Sequence, residues 1–114
     1  MTANFAPFCP TEYHIEMEPE KTGDHHLFRQ RVASMRFAAY NFPDIQKDLV
    51  AGEGEYLDGL NASFQIPPVH KETFKKVLQA NLKILITAEN GLEFWNHLNR
   101  LFKDDPVLYD YHLG

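Results

Sequence analysis

Four stretches of this sequence carry apolar residues at the three- to four-residue spacing of an amphipathic helix, separated by proline, glycine or asparagine. This spacing gathers the apolar side chains on one face, which a helix buries against another element. The first stretch carries Phe28, Val32, Met35 and Ala39. The predicted helices lie at about residues 25–41, 43–60, 69–87 and 91–103. Four such helices with short connections predict a mainly α fold, a single domain over residues 1–114 arranged like a four-helix bundle.

Residues that favour helix ends support these boundaries. Pro43 ends the first helix and suits the first turn of the second. Asn90 with Glu93 forms a capping-box pattern ahead of the fourth helix. Gly52 and Gly54 interrupt the second helix, where each glycine costs about 1 kcal/mol relative to alanine. Either the helix breaks there, or Gly52 lets another helix approach. Because the apolar register continues past both glycines, we expect a continuous or kinked helix.

The two ends of the chain do not show the helical period. Residues 1–23 are predicted to form an irregular N-terminal arm, and residues 104–114 a C-terminal tail. Polar and apolar residues alternate over 12–18 in the arm and over 107–113 in the tail, a pattern typical of short strands. The two segments could pair as a two-stranded ribbon, or the tail could form a last helical turn after Pro106.

The charge balance narrows the classes of partner. The chain has 114 residues with 16 acidic and 11 basic side chains, a formal net charge of −5. This balance disfavours nucleic acids and anionic membranes, which need a basic surface. A single cysteine, Cys9, excludes an internal disulfide. The first ten residues lack the pattern of a signal peptide, and no apolar run approaches the ~18 residues of a membrane span. We therefore expect a cytoplasmic protein.

Two sets of residues are candidates for binding a partner protein. Asp44, Asp48, Glu55 and Asp58 form one acidic stripe along the predicted second helix. The stripe is a docking face for a basic partner, a pair of carboxylates in a cleft, or the solvated side of the helix, which is the commonest of the three. The second set is Tyr13, Tyr109 and Tyr111. These tyrosines in the irregular ends either cover the bundle or form an interface. The strand-like arm over 12–18 could also pair with a second copy of the chain and form a homodimer.

The histidines are the candidates for a metal site. His25 and His26 begin the first predicted helix, and Glu93 and His97 lie four residues apart on the fourth. The sequence lacks a Glu-x-x-His pair, so the di-iron pattern of helical bundles is absent. A solvated helical pair is the simpler interpretation of Glu93 and His97. No catalytic set can be singled out, and no cofactor is predicted.

One stretch resembles a known family. The residues that carry the resemblance are Asn41, Asp48, Leu49, Gly52-Glu53-Gly54-Glu55-Tyr56-Leu57, Leu60, Phe74, Leu78, Asn81 and Ile84. On these residues, the stretch 41–84 resembles an uncharacterised bacterial family of small, often exported proteins that is classed as a domain of unknown function. The resemblance implies a bacterial origin and a helical hairpin, and it implies no activity or ligand.

Three hypotheses for the function remain at this point. The first is a non-enzymatic protein that binds another protein, as an adaptor or as a homodimer. The second is a helical bundle that binds a small ligand or a metal ion. The third is a small enzyme with a carboxylate-lined pocket, which would show paired carboxylates with perturbed pKa values in a concave site.

Overall fold

The computed structural model describes the backbone of residues 22–114 and the side chains from residue 26 onward. These residues form five α-helices and no strand, so the prediction of a mainly α fold is confirmed. The α-helices are α1 (Thr22–Ala51), α2 (Glu55–Ser63), α3 (Lys71–Ala80), α4 (Leu82–Ile86) and α5 (Gly91–Asp104). Two short 3-10 turns lie at Pro68–His70 and Tyr109–Tyr111. Over the same range, no helix has both the length and the apolar character needed to cross a membrane.

The predicted boundary at Pro43 is a kink within one long helix. Asn41 leaves the helical conformation (φ −114°, ψ 17°), and α1 then continues through Pro43 to Ala51. Proline has no N–H to donate, and its ring disturbs the turn before it. The Asn41 side chain donates a hydrogen bond to the carbonyl of Phe37 at 3.0 Å, which supplies a bond where the regular helical pattern is broken.

The expectation of a continuous second helix over 43–60 is wrong, because the chain breaks at Gly52–Gly54. Gly52 takes a left-handed φ of 88°, and its N–H donates to the carbonyl of Asp48 at 2.7 Å. This is the αL motif that ends many helices at a glycine. Gly54 has a φ of 151°, which L residues rarely adopt, and α2 begins at the next residue. The apolar register survives the break, which is why periodicity alone pointed to one helix.

The third predicted helix, over 69–87, is also divided. It begins with the 3-10 turn Pro68–His70 and is interrupted at Asn81, whose backbone is non-helical (φ −119°, ψ 24°). The Asn81 side chain donates to the carbonyl of Val77 at 2.8 Å, and the backbone N–H of Asn81 donates to the same carbonyl at 3.2 Å. Asparagine competes with the backbone in this way and favours helix ends.

The fourth predicted helix and its Asn90 cap are confirmed, whereas the reciprocal bond of Glu93 goes to the residue before the cap. The Asn90 side chain accepts the N–H of Glu93 at 2.8 Å, and the Glu93 carboxylate accepts the N–H of Glu89 at 3.0 Å. The tail after α5 takes the helical alternative: its residues 109–111 form a 3-10 turn rather than a strand. The other half of the suggested ribbon, residues 12–18, lies outside the described residues.

The core lies where α1, α2 and α5 meet. The largest side chains under 2% exposed are Trp95, Phe64, Phe74, Phe94, Phe102, Ile45, Leu49, Leu57, Leu60, Leu78, Leu85 and Leu98. Trp95 stacks on Phe64 with ring centroids 5.7 Å apart. The stripe predicted for the first helix is rotated from the buried face: Phe28 is 50% exposed, whereas Ser34 and Ala38 are fully buried. Ser34 is buried because its hydroxyl accepts the indole N–H of Trp95 at 2.8 Å.

Candidate functional site

A cleft of about 220 Å³ lies between the end of α2 and the start of α3. Its six lining residues are Asp58, Asn61, Ala62, Ile66, Pro68 and Lys71. Helix α2 contributes the first three, the connecting loop contributes Ile66, and the 3-10 turn and α3 contribute the last two. The lining therefore combines three apolar side chains with one carboxylate, one ammonium group and one carboxamide.

Asn61 is the buried polar side chain of this cleft. It is only 6% exposed, and its carboxamide makes no hydrogen bond within the chain that involves a described residue. Its backbone carbonyl accepts the N–H of Phe64 at 3.2 Å and of Ile66 at 3.3 Å. A carboxamide offers two donors and an acceptor, and leaving such a group unpaired in the interior costs about 1–3 kcal/mol. At the wall of the cleft, the donors and the acceptor of the Asn61 carboxamide thus have no partner among the described residues.

The turn after α2 shapes the wall next to Asn61. The N–H of Gln65 donates to the carbonyl of Ala62 at 2.9 Å, and the N–H of Ile66 donates to that of Asn61. These two bonds form a Schellman motif, in which the residue at the turn is left-handed and most often glycine. Here that residue is Gln65, with a φ of 57°. A left-handed residue other than glycine is uncommon and costs on the order of 1–3 kcal/mol, and such residues cluster at functional sites. The turn places Ile66, 6% exposed, against the cleft.

An ion pair joins the two helices at the cleft. The Lys71 ammonium lies 3.1 Å from the Asp58 carboxylate, and the two side chains are 43% and 58% exposed. Exposed pairs of this kind contribute less than about 1 kcal/mol because water screens them. The pair therefore adds little to the stability of this junction.

Aromatic side chains of the tail lie beside this region. The Tyr111 ring lies 5.8 Å from the ring of His70, the residue that precedes Lys71. Tyr109, 53% exposed, lies 4.7 Å from the ring of His112. Asn99 on α5 fixes the tail, because its carboxamide accepts the N–H of Leu113 at 2.7 Å and donates to the Leu113 carbonyl at 3.2 Å. We call His70, Tyr109, Tyr111 and His112 the aromatic flank.

The structure divides the predicted acidic stripe between two helices. Asp44 and Asp48 lie near the end of α1, whereas Glu55 and Asp58 lie on α2. The Asp48 carboxylate accepts the N–H of Tyr56 at 2.8 Å and of Leu57 at 3.2 Å, so it caps the start of α2. Asp58 lines the cleft, and Glu55 is exposed on the first turn of α2.

The Gly-x-Gly motif is explained by this cap. A Cβ atom at Gly54 would collide with the Asp48 carboxylate, so that carboxylate occupies the space that glycine leaves free. Together with the left-handed Gly52, this arrangement reverses the chain within three residues. The motif therefore builds the junction between α1 and α2, and its role is structural.

The other predicted site residues are not brought together. The side chain of His25 and all of Tyr13 lie outside the described residues, and His26 is exposed on α1. The His97 Nε2 atom lies 3.3 Å from the Glu93 carboxylate on α5. Among the described residues, no group of three or more His, Cys, Asp and Glu side chains is placed to hold a metal ion.

The sequence analysis missed Asn61, although a signal was present. Leu57, Leu60 and Phe64 are buried at helical spacing, and Asn61 occupies the remaining position of that stripe. A polar residue at an apolar position of a helix is either satisfied in the core or exposed to a ligand. The contribution of Ile66, Pro68 and Lys71 depends on how α3 packs, which periodicity does not reveal.

The model of a protein family described as "Protein of unknown function (DUF3015)" matches residues 23–111. The chain belongs to the DUF3015 family. The match extends from α1 to the aromatic flank, so it includes the whole cleft of this DUF3015 protein and confirms the resemblance seen over residues 41–84. No curated protein and no solved structure matches the chain.

Proposed function

We propose that this DUF3015 chain is a non-enzymatic binding protein, an adaptor that takes a partner protein at the cleft. The observation that carries the proposal is the Asn61 carboxamide, which is 6% exposed, lines the cleft and has no hydrogen-bond partner within the described part of the chain. A buried polar group without a partner is costly, and a ligand that completes its hydrogen bonds removes that cost.

The chemistry of the lining favours binding over catalysis. Its six residues offer one carboxylate and one ammonium group, and these two are paired with each other at 3.1 Å. The six include no hydroxyl, thiol or imidazole group that could act as nucleophile or general base with them. A carboxamide, in contrast, is a recognition group that donates and accepts without transferring a proton.

The aromatic flank supports a protein as the partner. Tyrosine is enriched in protein interfaces because its ring buries much area while its hydroxyl remains a hydrogen-bonding group. Tyr109 is 53% exposed, and Tyr111 contacts His70 beside the cleft. A partner that fills the cleft and also covers this flank would bury more surface than the cleft provides alone.

Site-specific crosslinking tests the proposal. A photoreactive amino acid replaces Ala62, an exposed residue that lines the cleft, and the protein is irradiated in its native host. The matched control places the same group at Ala80, exposed at the opposite end of α3 from Lys71. We expect a protein to be captured at position 62 and not at position 80. A crosslinked second copy of this chain would identify the partner as self.

Purified captured protein is then titrated against the wild type and against Asn61→Leu. The loss of a hydrogen-bonded amide predicts binding at least about tenfold weaker to the variant. Equal capture at the two positions, or equal affinity for the two proteins, would overturn the proposal.

A further inference from the structure

We propose that the partner enters the cleft as an extended peptide segment, with one of its main-chain peptide units paired to the Asn61 carboxamide. This inference rests on the proposed function and adds the form in which the partner is recognised. The carboxamide carries a donor and an acceptor side by side, and a peptide unit carries the complementary acceptor and donor. A peptide unit can therefore pair with both the N–H donor and the carbonyl acceptor of the Asn61 side chain. That side chain is unpaired within the described chain, and the residue is 6% exposed.

The partner segment must be extended rather than helical. In a helix the main-chain N–H and C=O groups bond to one another, except in the first and last turns. The middle of a docking helix would leave the Asn61 carboxamide unpaired. An extended segment keeps its main-chain groups free and presents them along its edge.

The size and walls of the cleft fit one side chain of such a segment. Its volume of about 220 Å³ is below the roughly 300–1,000 Å³ of sites that enclose a whole small molecule. Ala62, Ile66 and Pro68 give it an apolar wall, so the side chain next to the paired peptide unit is apolar. The cleft thus accepts a short part of a polymer, held by its main chain and by one apolar side chain.

The ion pair at the cleft adds a second expectation. A neutral peptide unit can bind Asn61 while Lys71 stays paired to Asp58, 3.1 Å away. Binding then depends little on salt, because screening acts on charges and leaves neutral hydrogen bonds unchanged.

The test starts from a library of random linear peptides displayed against the full chain, with counter-selection on Asn61→Leu. The selected peptide is synthesised with each amide in turn replaced by an ester, which removes one N–H donor. Each form is titrated against both proteins. Trp95 fluorescence is the readout of binding, since its ring stacks on Phe64, which directly follows α2 and lies three residues after Asn61. We expect one ester to weaken binding to the wild type about tenfold and to have no effect with Asn61→Leu.

The outcomes separate the two proposals. Peptides that bind without any ester position coupled to Asn61, or that bind as helices by circular dichroism, overturn this inference and leave the proposed function standing. If binding of the crosslinked partner requires Asn61 but no linear peptide binds, this inference is also overturned and the proposed function still stands. If neither a partner nor a peptide depends on Asn61, both proposals fall.

Discussion

Asn61 on α2 and Asn99 on α5 are equally buried, each 6% exposed, but they differ in the hydrogen bonds of their side chains. Asn99 bonds to Leu113 and Gly114, whereas the side chain of Asn61 has no partner within the described chain. Replacing an unpaired buried amide with an apolar side chain of similar size removes a penalty. We expect Asn61→Leu to raise the free energy of unfolding by about 1–3 kcal/mol and Asn99→Leu to lower it by a similar amount.

Urea unfolding followed by Trp95 fluorescence measures both changes, because Trp95 is 1% exposed in the folded state. Asn99→Leu is the matched control, with the same substitution at the same exposure. If Asn61→Leu destabilised the fold as much as its control, the Asn61 amide would have partners in the folded chain. The proposed function would then lose the observation that carries it.

Burial on α1 and α2 depends on more than the apolar period. On α2, Leu57, Leu60 and Phe64 are buried at helical spacing, and the buried Asn61 lies among them. On α1, the fully buried Ser34 lies outside the predicted apolar stripe. Its burial depends on the Trp95 indole and the Ser63 hydroxyl, both at 2.8 Å, and these come from distant parts of the chain.

Asp48 determines where α1 ends and α2 begins. Its carboxylate accepts two N–H groups of the first turn of α2, where the N-cap residue Gly54 has no side chain to do so. Removing an N-cap acceptor costs about 0.5–2 kcal/mol. We therefore expect Asp48→Ala to lower the free energy of unfolding by about 1–2 kcal/mol, measured in urea. Asp48→Asn should lose less, since its amide oxygen can still accept.

Asp44→Ala serves as the control for this junction. Asp44 lies one helical turn before Asp48 on α1, and its carboxylate makes no hydrogen bond or ion pair with the described residues. Its replacement should change the stability by less than about 0.5 kcal/mol. Equal losses at the two positions would show that the acidic charge, rather than the cap, stabilises this part of the fold.

The junction also shows why sequence reasoning placed only part of the helices. The start and cap of α5 follow from Asn90 and Glu93, which are three residues apart, and were predicted correctly. The break at Gly52–Gly54 depends on Asp48 reaching the N–H groups of α2, eight and nine residues later. The spacing of apolar residues does not depend on such a contact, so periodicity favoured one helix.

Glu93 makes the stability of the α5 cap depend on pH. The backbone N–H of Glu89 holds the pKa of the Glu93 carboxyl below its ordinary value of 4.5, and His97 lowers it further. A pKa that is lower in the folded state stabilises the fold above the unfolded value, and this contribution is lost as the pH falls through the folded value. We expect the stability advantage of the wild type over Glu93→Gln to shrink as the pH falls from about 6 to 3.

Urea unfolding at several pH values gives this difference. The control is Glu89→Gln, which keeps the donating N–H and removes only an exposed carboxylate. Its difference from the wild type should change less over the same range. A difference that stays constant for Glu93→Gln would contradict the role assigned to its charge, since glutamine retains an acceptor at the cap.

At the scale of the whole molecule, α5 packs against α1 and against Phe64, the residue that directly follows α2. The Trp95 indole donates to Ser34 on α1, whose hydroxyl shares a hydrogen bond with Ser63 at the end of α2. The same indole ring stacks on Phe64, next to the turn that shapes the cleft. The position of the cleft wall thus depends on how closely α5 and α1 approach, and their backbones lie against each other at Gly91.

Gly91 begins α5 directly against the backbone of α1. A Cβ atom there would collide with the carbonyl oxygen of Ala38 and lie 2.6 Å from the Cα atom of Ala39. Unlike a side chain, the backbone of a packed helix cannot relieve the clash by changing its rotamer, so α5 would have to move. We expect Gly91→Ala to lower the free energy of unfolding by about 1–3 kcal/mol, as overpacking does elsewhere. Urea unfolding measures the loss, and a changed Trp95 emission in the folded state would report the displaced helix.

Gly59→Ala is the matched control, because it is the same substitution facing a side chain. Its Cβ atom would lie 2.6 Å from the end of the half-buried Phe37 ring, which can rotate away. Alanine within α2 also gains about 1 kcal/mol in helix propensity, which offsets the strain. We expect Gly59→Ala to be close to neutral. If Gly91→Ala were equally neutral, α5 would move away from α1 at no cost, and backbone contact would not set the distance between them.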